Sequence, residues 1–160
     1  MSLTIRPEPF ESPAALALIE AVQQEYVLRY GGPDESPVDP GEFTPPVGLF
    51  LLARAAGTPV GCGGWRRRGD VVAEIKRMYV VPSARGTGVG RAVLTELERT
   101  ATAAGFRRLE LETGLALPEA VGLYLAAGYR PTAAFGFYAG EPSSRYLGKD
   151  LSVPHRPVSC

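Results

Sequence analysis

The sequence is poor in the residues that most often carry metal-dependent or nucleophilic chemistry. It has two cysteines and one histidine among 160 residues. Cys62 and Cys160 show neither metal-ligand spacing nor a disulfide framework. His155 stands in a proline-rich C-terminal segment, which argues against a histidine-dependent nucleophile and a zinc site. We therefore expect no metal, and chemistry that uses carboxylates, tyrosine or main-chain groups.

The chain also lacks a net charge and a long apolar run. Seventeen basic residues balance seventeen acidic ones, so no overall field attracts nucleic acid or an anionic membrane. No apolar run has the length of a membrane span, about 18 residues or more, and the N-terminus shows no signal-peptide pattern. We expect a soluble, cytoplasmic protein that binds neither nucleic acid nor membrane.

Length and composition indicate one domain. A chain of 160 residues with 45% hydrophobic residues can bury a core of its own. The sequence has no internal repeat and no second block of composition. We therefore assign residues 1–152 to a single domain and residues 153–160 to a flexible tail.

The order of the predicted elements indicates a mixed α/β fold. Ser12 and Pro13 are typical of a helix start, and the apolar spacing that follows predicts a helix to Tyr30. Strands are predicted at 3–6, 49–54, 60–66, 71–81, 109–112, 129–138 and 146–151, and further helices at 88–104 and from 117 to Gly128. This order predicts one sheet with helices on its faces.

Residues 31–48 are rich in proline and glycine and are predicted to form an irregular loop. Loops of this length in a small domain are often functional or mobile, so both a lid over an acceptor and an ordinary surface loop stay open. Acidic and aromatic residues in and before the loop could contact a cationic amine, although acidic loop residues are usually only solvated. These residues are Glu25, Tyr30, Asp34, Glu35 and Glu42.

The most informative stretch is residues 74–91, where a predicted strand and Pro82 precede a glycine-rich loop that opens a helix. Unpaired N–H groups and the helix dipole make such a helix start a site for anions, here a diphosphate. A Walker loop would need Gly-Lys-Ser/Thr, which is absent. The spacing Gly86-x-Gly88-x-Gly90 also differs from the dinucleotide fingerprint G-x-G-x-x-G. What remains is an R-x-x-G-x-G loop that begins at Arg85.

This loop resembles the signature of the GCN5-related N-acetyltransferases, the GNAT superfamily, in which it holds the pyrophosphate of acetyl-CoA. Residues 73–82 look like the family's fourth strand, residues 109–113 like its fifth, and residues 123–129 like the segment that carries its tyrosine. The resemblance covers essentially residues 3–151. It implies a mixed, largely antiparallel sheet of about seven strands, with helices on both faces and a splayed fourth and fifth strand.

The resemblance implies that acetyl-CoA is the co-substrate and that main-chain groups bind it. A side chain at Gly88 or Gly90 would keep the backbone away from the phosphates. The fourth strand would bind the pantetheine arm as a sheet edge binds a peptide, and its splay needs a bulge near Arg77 or Met78. The implied coenzyme-binding residues are Met78, Tyr79, Val80, Arg85, Gly86, Thr87, Gly88, Val89, Gly90 and Arg91.

Two side chains are candidate catalytic residues by the same resemblance. Tyr124 matches the tyrosine that protonates the departing thiolate, and a phenol with a pKa of about 10 can donate at neutral pH. The alternative is that Tyr124 is only a core residue. Glu74 matches a glutamate that, in part of the family, deprotonates the amine, whereas Lys76 and Arg77 could instead hold it as a structural ion-pair partner. The N–H of Met78 or Val80 is the expected oxyanion donor.

Two segments depart from the family pattern. Leu117-Pro118-Glu119 stands where an asparagine often contacts the pantetheine, and residues 31–48 replace the usual second helix. The leading hypothesis is an acetyl-CoA-dependent N-acetyltransferase that acts by direct transfer on a primary amine of a small molecule, amino acid or peptide. Alternatives are a module that binds acyl-CoA without turnover and a ligase-like or nucleotide-binding enzyme. A homodimer through the terminal strands is also possible.

Overall fold

The described part of the chain forms one mixed sheet of seven strands with helices on both faces, as predicted. The computed structural model describes residues 2–114 and 118–151. The strands are β1 Leu3–Pro7, β2 Gly48–Ala55, β3 Thr58–Arg67, β4 Val72–Val80, β5 Arg108–Gly114, β6 Arg130–Pro131 and β7 Ser144–Asp150. The helices are α1 Pro13–Tyr30, α2 Val89–Ala103 and α3 Pro118–Ala126. The strand order is β1-β2-β3-β4-β5-β7-β6.

One strand prediction was too long. Only Arg130–Pro131 of the predicted strand 129–138 pairs in the sheet. Pro131 has no N–H to continue the ladder, and Gly136 has a φ of 73°, which turns the chain away from an extended path. The predicted tail and Leu117 lie outside the described residues. Within the described ranges, no helix is long and apolar enough to cross a membrane.

Helix α1 begins and ends as its sequence predicts. The Ser12 hydroxyl accepts a hydrogen bond from the N–H of Ala15 at 3.1 Å, and Pro13 occupies the first turn. Gly31, with a φ of 81°, ends the helix and donates its N–H to the carbonyl of Val27. Residues 31–48 then run to β2 with only a short 3-10 turn at Pro40–Phe43, which confirms the predicted irregular segment.

Alternate side chains of β2 divide the interior into two cores. Phe50 and Leu52 pack towards α1, while Leu51 and Ala53 pack towards α2. The core on the α2 side is the larger and includes Leu97, which is fully buried. The sheet is therefore held from both faces.

A bulge interrupts β4 next to its centre. The register of β3 and β4 shifts between Cys62 and Gly64, where Arg77 and Met78 lie opposite a single residue of β3. Arg77 has a φ of 58°, a left-handed conformation that costs a side-chain-bearing residue about 1–3 kcal/mol. The predicted bulge is confirmed.

Strands β4 and β5 separate along the C-terminal half of β4, the half that also contains the bulge. They pair in parallel only at residues 72–74 and 108–110. Beyond Glu74 the edge of β4 that faces β5 has no ladder partner in the described structure. This confirms the predicted splay and leaves main-chain groups of β4 available.

Replacing Leu97 by alanine should lower the free energy of unfolding by about 2–5 kcal/mol, because it leaves a cavity in the larger core. Leu28→Ala is the matched control: Leu28 is 86% exposed, so its change should stay within about 0.5 kcal/mol. Urea unfolding measures both. Equal effects would contradict this assignment of the core.

Candidate active site

A cavity of about 490 Å³ opens where β4 and β5 separate. Helix α1, the first part of the 31–48 loop, β4, β5, α3 and residues 138–144 all contribute to its lining. Four tyrosines are among the lining residues, namely Tyr26, Tyr30, Tyr124 and Tyr138. The volume lies within the range of sites for small molecules, about 300–1,000 Å³.

A second cavity of about 280 Å³ adjoins the first. Lys76, Glu112 and Tyr138 line both cavities and therefore lie on the wall between them. Phe135 and Phe137 contribute aromatic surface to the smaller cavity. The two cavities thus form adjoining compartments with a polar group of residues at their boundary.

Asp34 connects three elements around the larger cavity. One carboxylate oxygen accepts a hydrogen bond from the Lys76 ammonium at 2.8 Å and another from the Arg77 guanidinium. The other oxygen accepts from the Tyr138 hydroxyl at 2.9 Å and from the main-chain N–H of Ser36 at 2.9 Å. Asp34 therefore fixes the 31–48 loop to β4 and to the segment before β7.

The electrostatics of Asp34 follow from these contacts. Burial acts to raise its pKa, but Lys76 and Arg77 outweigh burial and hold the pKa of Asp34 well below its usual range. The prediction that acidic residues of this loop are solvated is wrong for Asp34, whose side chain is only 12% exposed. Burial raises the pKa of Tyr138 to about 12, and its hydrogen bond to Asp34 adds to the shift.

Glu74 lies in the smaller cavity and has a different partner from those predicted. Its carboxylate accepts a hydrogen bond from the Nε of Arg66 at 3.1 Å. Arg66 stands directly opposite Glu74 on β3, which places both side chains on one face of the sheet. The predicted partners, Lys76 and Arg77, bind Asp34 instead. Glu74 is thus ion-paired and 8% exposed, apart from the larger cavity.

Tyr124 belongs both to the core and to the larger cavity. Its ring packs edge-on against Tyr129 with 5.7 Å between the centroids, and it is 5% exposed. Among the described residues its hydroxyl has no hydrogen-bond partner, whereas the Tyr129 hydroxyl donates to Glu98 of α2 at 2.9 Å. Burial raises the pKa of Tyr124, so the phenol carries its proton at neutral pH.

The glycine-rich loop leads into α2 with its main chain exposed. Gly86 and Gly88 have φ values of 77° and 91°, and Gly88 is the residue that caps α2, with no side chain bonded to the helix end. The first intrahelical bond runs from the N–H of Ala92 to the carbonyl of Gly88. The preceding amides are therefore available for an anion.

Gly90 has a packing role that the sequence did not reveal. A Cβ there would lie 3.3 Å from the Leu123 side chain and 3.4 Å from that of Val80. The absence of a side chain lets α2 approach α3 and β4 closely. This contact is independent of any approach to phosphates.

Arg85 joins the glycine-rich loop to α1 and β4. Its guanidinium donates to Glu25 at 2.6 Å and to the Val80 carbonyl at 3.0 Å, and it lies 5.6 Å from the centre of the Tyr79 ring. Glu25 also pairs with Arg29 at 3.5 Å. Glu25 was a candidate contact for the acceptor, but in the structure its carboxylate forms ion pairs with Arg85 and Arg29.

The structure brings some of the predicted site residues together and separates others. Tyr124 and Met78 line the larger cavity, as do Tyr30, Asp34 and Glu35 of the acceptor-side candidates. Glu42 and Glu74 line the smaller cavity. Of the described residues in the 85–91 loop, none lines either cavity. No group of three or more His, Cys, Asp and Glu side chains in the described ranges could hold a metal ion.

Sequence reasoning missed the link from Asp34 to β4 and the position of Glu112. A signal for the first was present, because two adjacent cations in a predicted buried strand need a carboxylate partner from elsewhere. Glu112 was recognised only as part of a strand. Nothing local indicates that its side chain would face a cavity.

Comparison with known proteins agrees with this geometry. The model of the acetyltransferase (GNAT) family matches residues 16–129. A protein of Azospirillum brasilense named IAA acetyltransferase is 34% identical over 151 residues, which are 94% of this chain and 99% of that protein. The chain belongs to the GNAT family of acetyltransferases and is an acyltransferase.

Solved structures show the same fold. A Klebsiella pneumoniae protein assigned as an acyl-CoA N-acyltransferase superposes with a TM-score of 0.79 at 31% identity, covering 94% of this chain and 98% of that one. A GNAT acetyltransferase from Elizabethkingia anophelis, solved with acetyl-CoA bound, gives a TM-score of 0.68 at 20% identity, covering 93% and 98%. The second likeness concerns the fold alone.

Replacing Asp34 by asparagine should lower the free energy of unfolding by about 3 kcal/mol at neutral pH, because Lys76 and Arg77 stay buried without their counter-charge. Asp70→Asn, at an exposed turn position, is the matched control and should have little effect. Urea unfolding at several pH values measures the free energy of unfolding of wild type and both variants.

The difference in the free energy of unfolding between wild type and Asp34→Asn should depend on pH, because the pKa of Asp34 is lowered. The stabilisation is complete above the pKa of an unfolded aspartate, about 4, and is lost as the pH falls through the lower folded value. The wild-type and Asp34→Asn curves should therefore converge in acid. A difference that stays constant into acid would contradict the proposed ion pairs.

Proposed function

We propose that the protein is an acetyl-CoA-dependent N-acetyltransferase that transfers the acetyl group directly to a primary amine. The acceptor is a small molecule, an amino acid or a peptide. The observation that supports this most is the larger cavity between the diverging strands, which is lined by Tyr124 and by Met78 at the bulge. A proton donor and unpaired main-chain groups are what an acyl transfer from a thioester requires.

The coenzyme fits the splayed edge of β4 and the start of α2. The edge of β4 at Met78, Tyr79 and Val80 would bind the pantetheine amides, as an exposed strand binds a peptide. The main chain of residues 85–90 would bind the diphosphate, since the amides at the start of α2 are free and Gly88 leaves them uncovered. Arg91 adds a positive charge in the first turn of the helix. The Elizabethkingia protein, which has the same fold, is solved with acetyl-CoA bound.

Direct transfer needs no protein nucleophile. The amine nitrogen attacks the thioester carbonyl, and a new C–N bond forms while the oxygen takes up negative charge. The N–H of Met78 or Val80 would stabilise this oxyanion. When the C–S bond breaks, Tyr124 donates its proton to the departing thiolate and is reprotonated through water by the proton that leaves the nitrogen.

The acceptor would occupy the tyrosine-lined side of the larger cavity, next to the 31–48 loop. Tyr26, Tyr30 and Tyr138 offer aromatic faces there, which suit an organic amine. The adjoining smaller cavity, with Phe135 and Phe137, offers room for the body of the acceptor. The Azospirillum relative is named IAA acetyltransferase, so IAA should be assayed as an acceptor separately from the primary amines.

Two measurements test the proposal. Titration calorimetry with acetyl-CoA and with CoA should show binding of both, and release of free thiol should accompany turnover in a panel of primary amines. Absence of binding would overturn the acyl-CoA assignment. Tight binding without thiol release from any acceptor would favour the alternative of a non-catalytic acyl-CoA-binding module.

The diphosphate site predicts that Gly88→Val abolishes coenzyme binding, because a branched side chain covers the amides at the start of α2. The same substitution also strains a residue with a φ of 91°. Gly57→Val is the matched control, since Gly57 has a φ of 84° in the turn between β2 and β3, and it should lose stability but keep its affinity. Calorimetry with CoA measures both, and unchanged affinity of Gly88→Val would reject this site.

The proton-donor role predicts that Tyr124→Phe lowers the turnover number by about 100-fold or more at saturating substrates. Its affinity for acetyl-CoA should change little, because the ring remains. Tyr129→Phe removes the neighbouring hydroxyl, which bonds to Glu98, and should affect stability rather than turnover. Steady-state thiol release and calorimetry provide the comparison. A Tyr124→Phe enzyme with an unchanged turnover number would show that another group protonates the thiolate.

A further inference from the structure

The sheet face behind the two cavities carries a set of ion pairs. One carboxylate on this face has no cationic partner among the described residues. Glu74, Asp34 and Glu110 each have at least one cationic partner, and all three are at least half buried. Those partners are Arg66 for Glu74, Lys76 and Arg77 for Asp34, and Arg68 and Arg108 for Glu110. Within the described residues, Glu112 forms no such pair.

Glu112 also lies inside the candidate site. It lines both cavities, next to Lys76 and Tyr138 on their shared wall, and it shares the larger one with Tyr124. The other carboxylates that line the larger cavity are Asp34, which is ion-paired, and Glu35 and Glu141, which are exposed. Glu112 is therefore the one sheltered carboxylate of that lining, among the described residues, without a cationic partner.

We propose that Glu112 binds the protonated amine of the acceptor and takes its proton, and that Glu74 is a structural partner of Arg66. The inference rests on the proposed function. It assigns the acceptor a definite charge: the amine arrives as a cation and supplies the ion-pair partner that Glu112 lacks. An amine so placed lies in the same cavity as Tyr124.

The proton and electron balance is simple. Glu112 takes one proton from the ammonium and leaves a neutral amine, whose lone pair forms the C–N bond. The C–S bond then breaks, the sulfur keeps its electron pair and takes the proton of Tyr124. The second proton that leaves the nitrogen restores Tyr124, and Glu112 releases its proton to solvent. The products are the acetylated amine, CoA thiol and one proton.

The surroundings of Glu112 suit this task. Burial raises its pKa, against a hydrogen bond from the Ser144 hydroxyl and the charge of Lys76. Asp34 and Glu74 add to the raised value as like charges. The titratable groups that face Glu112 are Lys76 and Glu74 from β4, Asp34 from the loop, Tyr26 from α1, Tyr138, and Tyr146 from β7. Lys76, the one cation of this set, is already bound to Asp34 and Ser36.

The test is the pH dependence of kcat/KM for wild type, Glu112→Gln and Glu74→Gln. Thiol release is followed with the amine that wild type turns over fastest in a panel of ethanolamine, tyramine, tryptamine, putrescine, lysine and a short N-terminally blocked peptide that contains lysine. Measurements between about pH 5 and pH 8 keep the side-chain or alkyl ammonium protonated, because such groups titrate at about pH 10. An acid limb in this range then reports the enzyme. Glu20→Gln, at an exposed position of α1, is the control for loss of one negative charge.

Wild type should lose activity as the pH falls through the pKa of Glu112, because a protonated carboxyl cannot accept a proton. Glu112→Gln should lower kcat/KM by about 100-fold or more and abolish the acid limb, with little change in affinity for acetyl-CoA by calorimetry. Glu74→Gln should keep the acid limb, with its midpoint moved to a lower pH because a like charge near Glu112 is removed. Glu20→Gln should keep both the limb and its midpoint.

The outcomes separate the two proposals. If Glu112→Gln keeps the acid limb, or Glu74→Gln removes it, the assignment of the base is overturned while the acetyltransferase function stands. If wild type releases thiol with none of the amines although it binds acetyl-CoA, the proposed function fails and the assignment of Glu112 fails with it.

Discussion

The ion pairs of Asp34 with Lys76 and Arg77 are the interaction on which the site depends. The bulge in β4 places two cations side by side in the interior, at 9% and 5% exposure of their side chains. Cations buried in this way destabilise a fold by several kcal/mol unless a carboxylate balances them. Asp34 does so, and it brings the 31–48 loop and the Tyr138 hydroxyl with it. The contacts of this one carboxylate thus hold the loop, β4 and Tyr138 together in the wall of the cavity.

The two faces of the sheet have different tasks. On the face that packs on α2 and α3, apolar side chains such as Leu109 and Leu111 of β5 supply the larger core. The alternate residues of the same strand, Glu110 and Glu112, lie on the opposite face among charged neighbours. The apolar face therefore holds β4 and β5 in place, while in our proposal the polar face carries the proton acceptor. Tyr124 reaches the cavity from the apolar side, which explains why it is both packed and functional in our proposal.

The proposed reaction needs few side chains. Transfer from a thioester to an amine requires orientation, an oxyanion donor and two proton transfers, and main-chain groups can supply the first two. The splay of β4 from β5 leaves the edge of β4 beyond Glu74 without a ladder partner in the described residues. In our proposal, ion pairing separates the carboxylates by role: those with cationic partners stabilise the structure, whereas Glu112 binds the substrate amine.

The sequence by itself determined the fold and the family. Alternation of apolar residues, the Ser12 and Pro13 helix start and the R-x-x-G-x-G loop are local patterns, and each predicts structure without knowledge of distant residues. Only the tertiary structure decided which carboxylate meets which cation. Asp34 reaches Lys76 across 42 positions and Arg66 reaches Glu74 across a hairpin, and such pairings depend on packing that no local pattern encodes. The shortened strand at Arg130–Pro131 and the position of Glu112 between two cavities depend on the same long-range geometry.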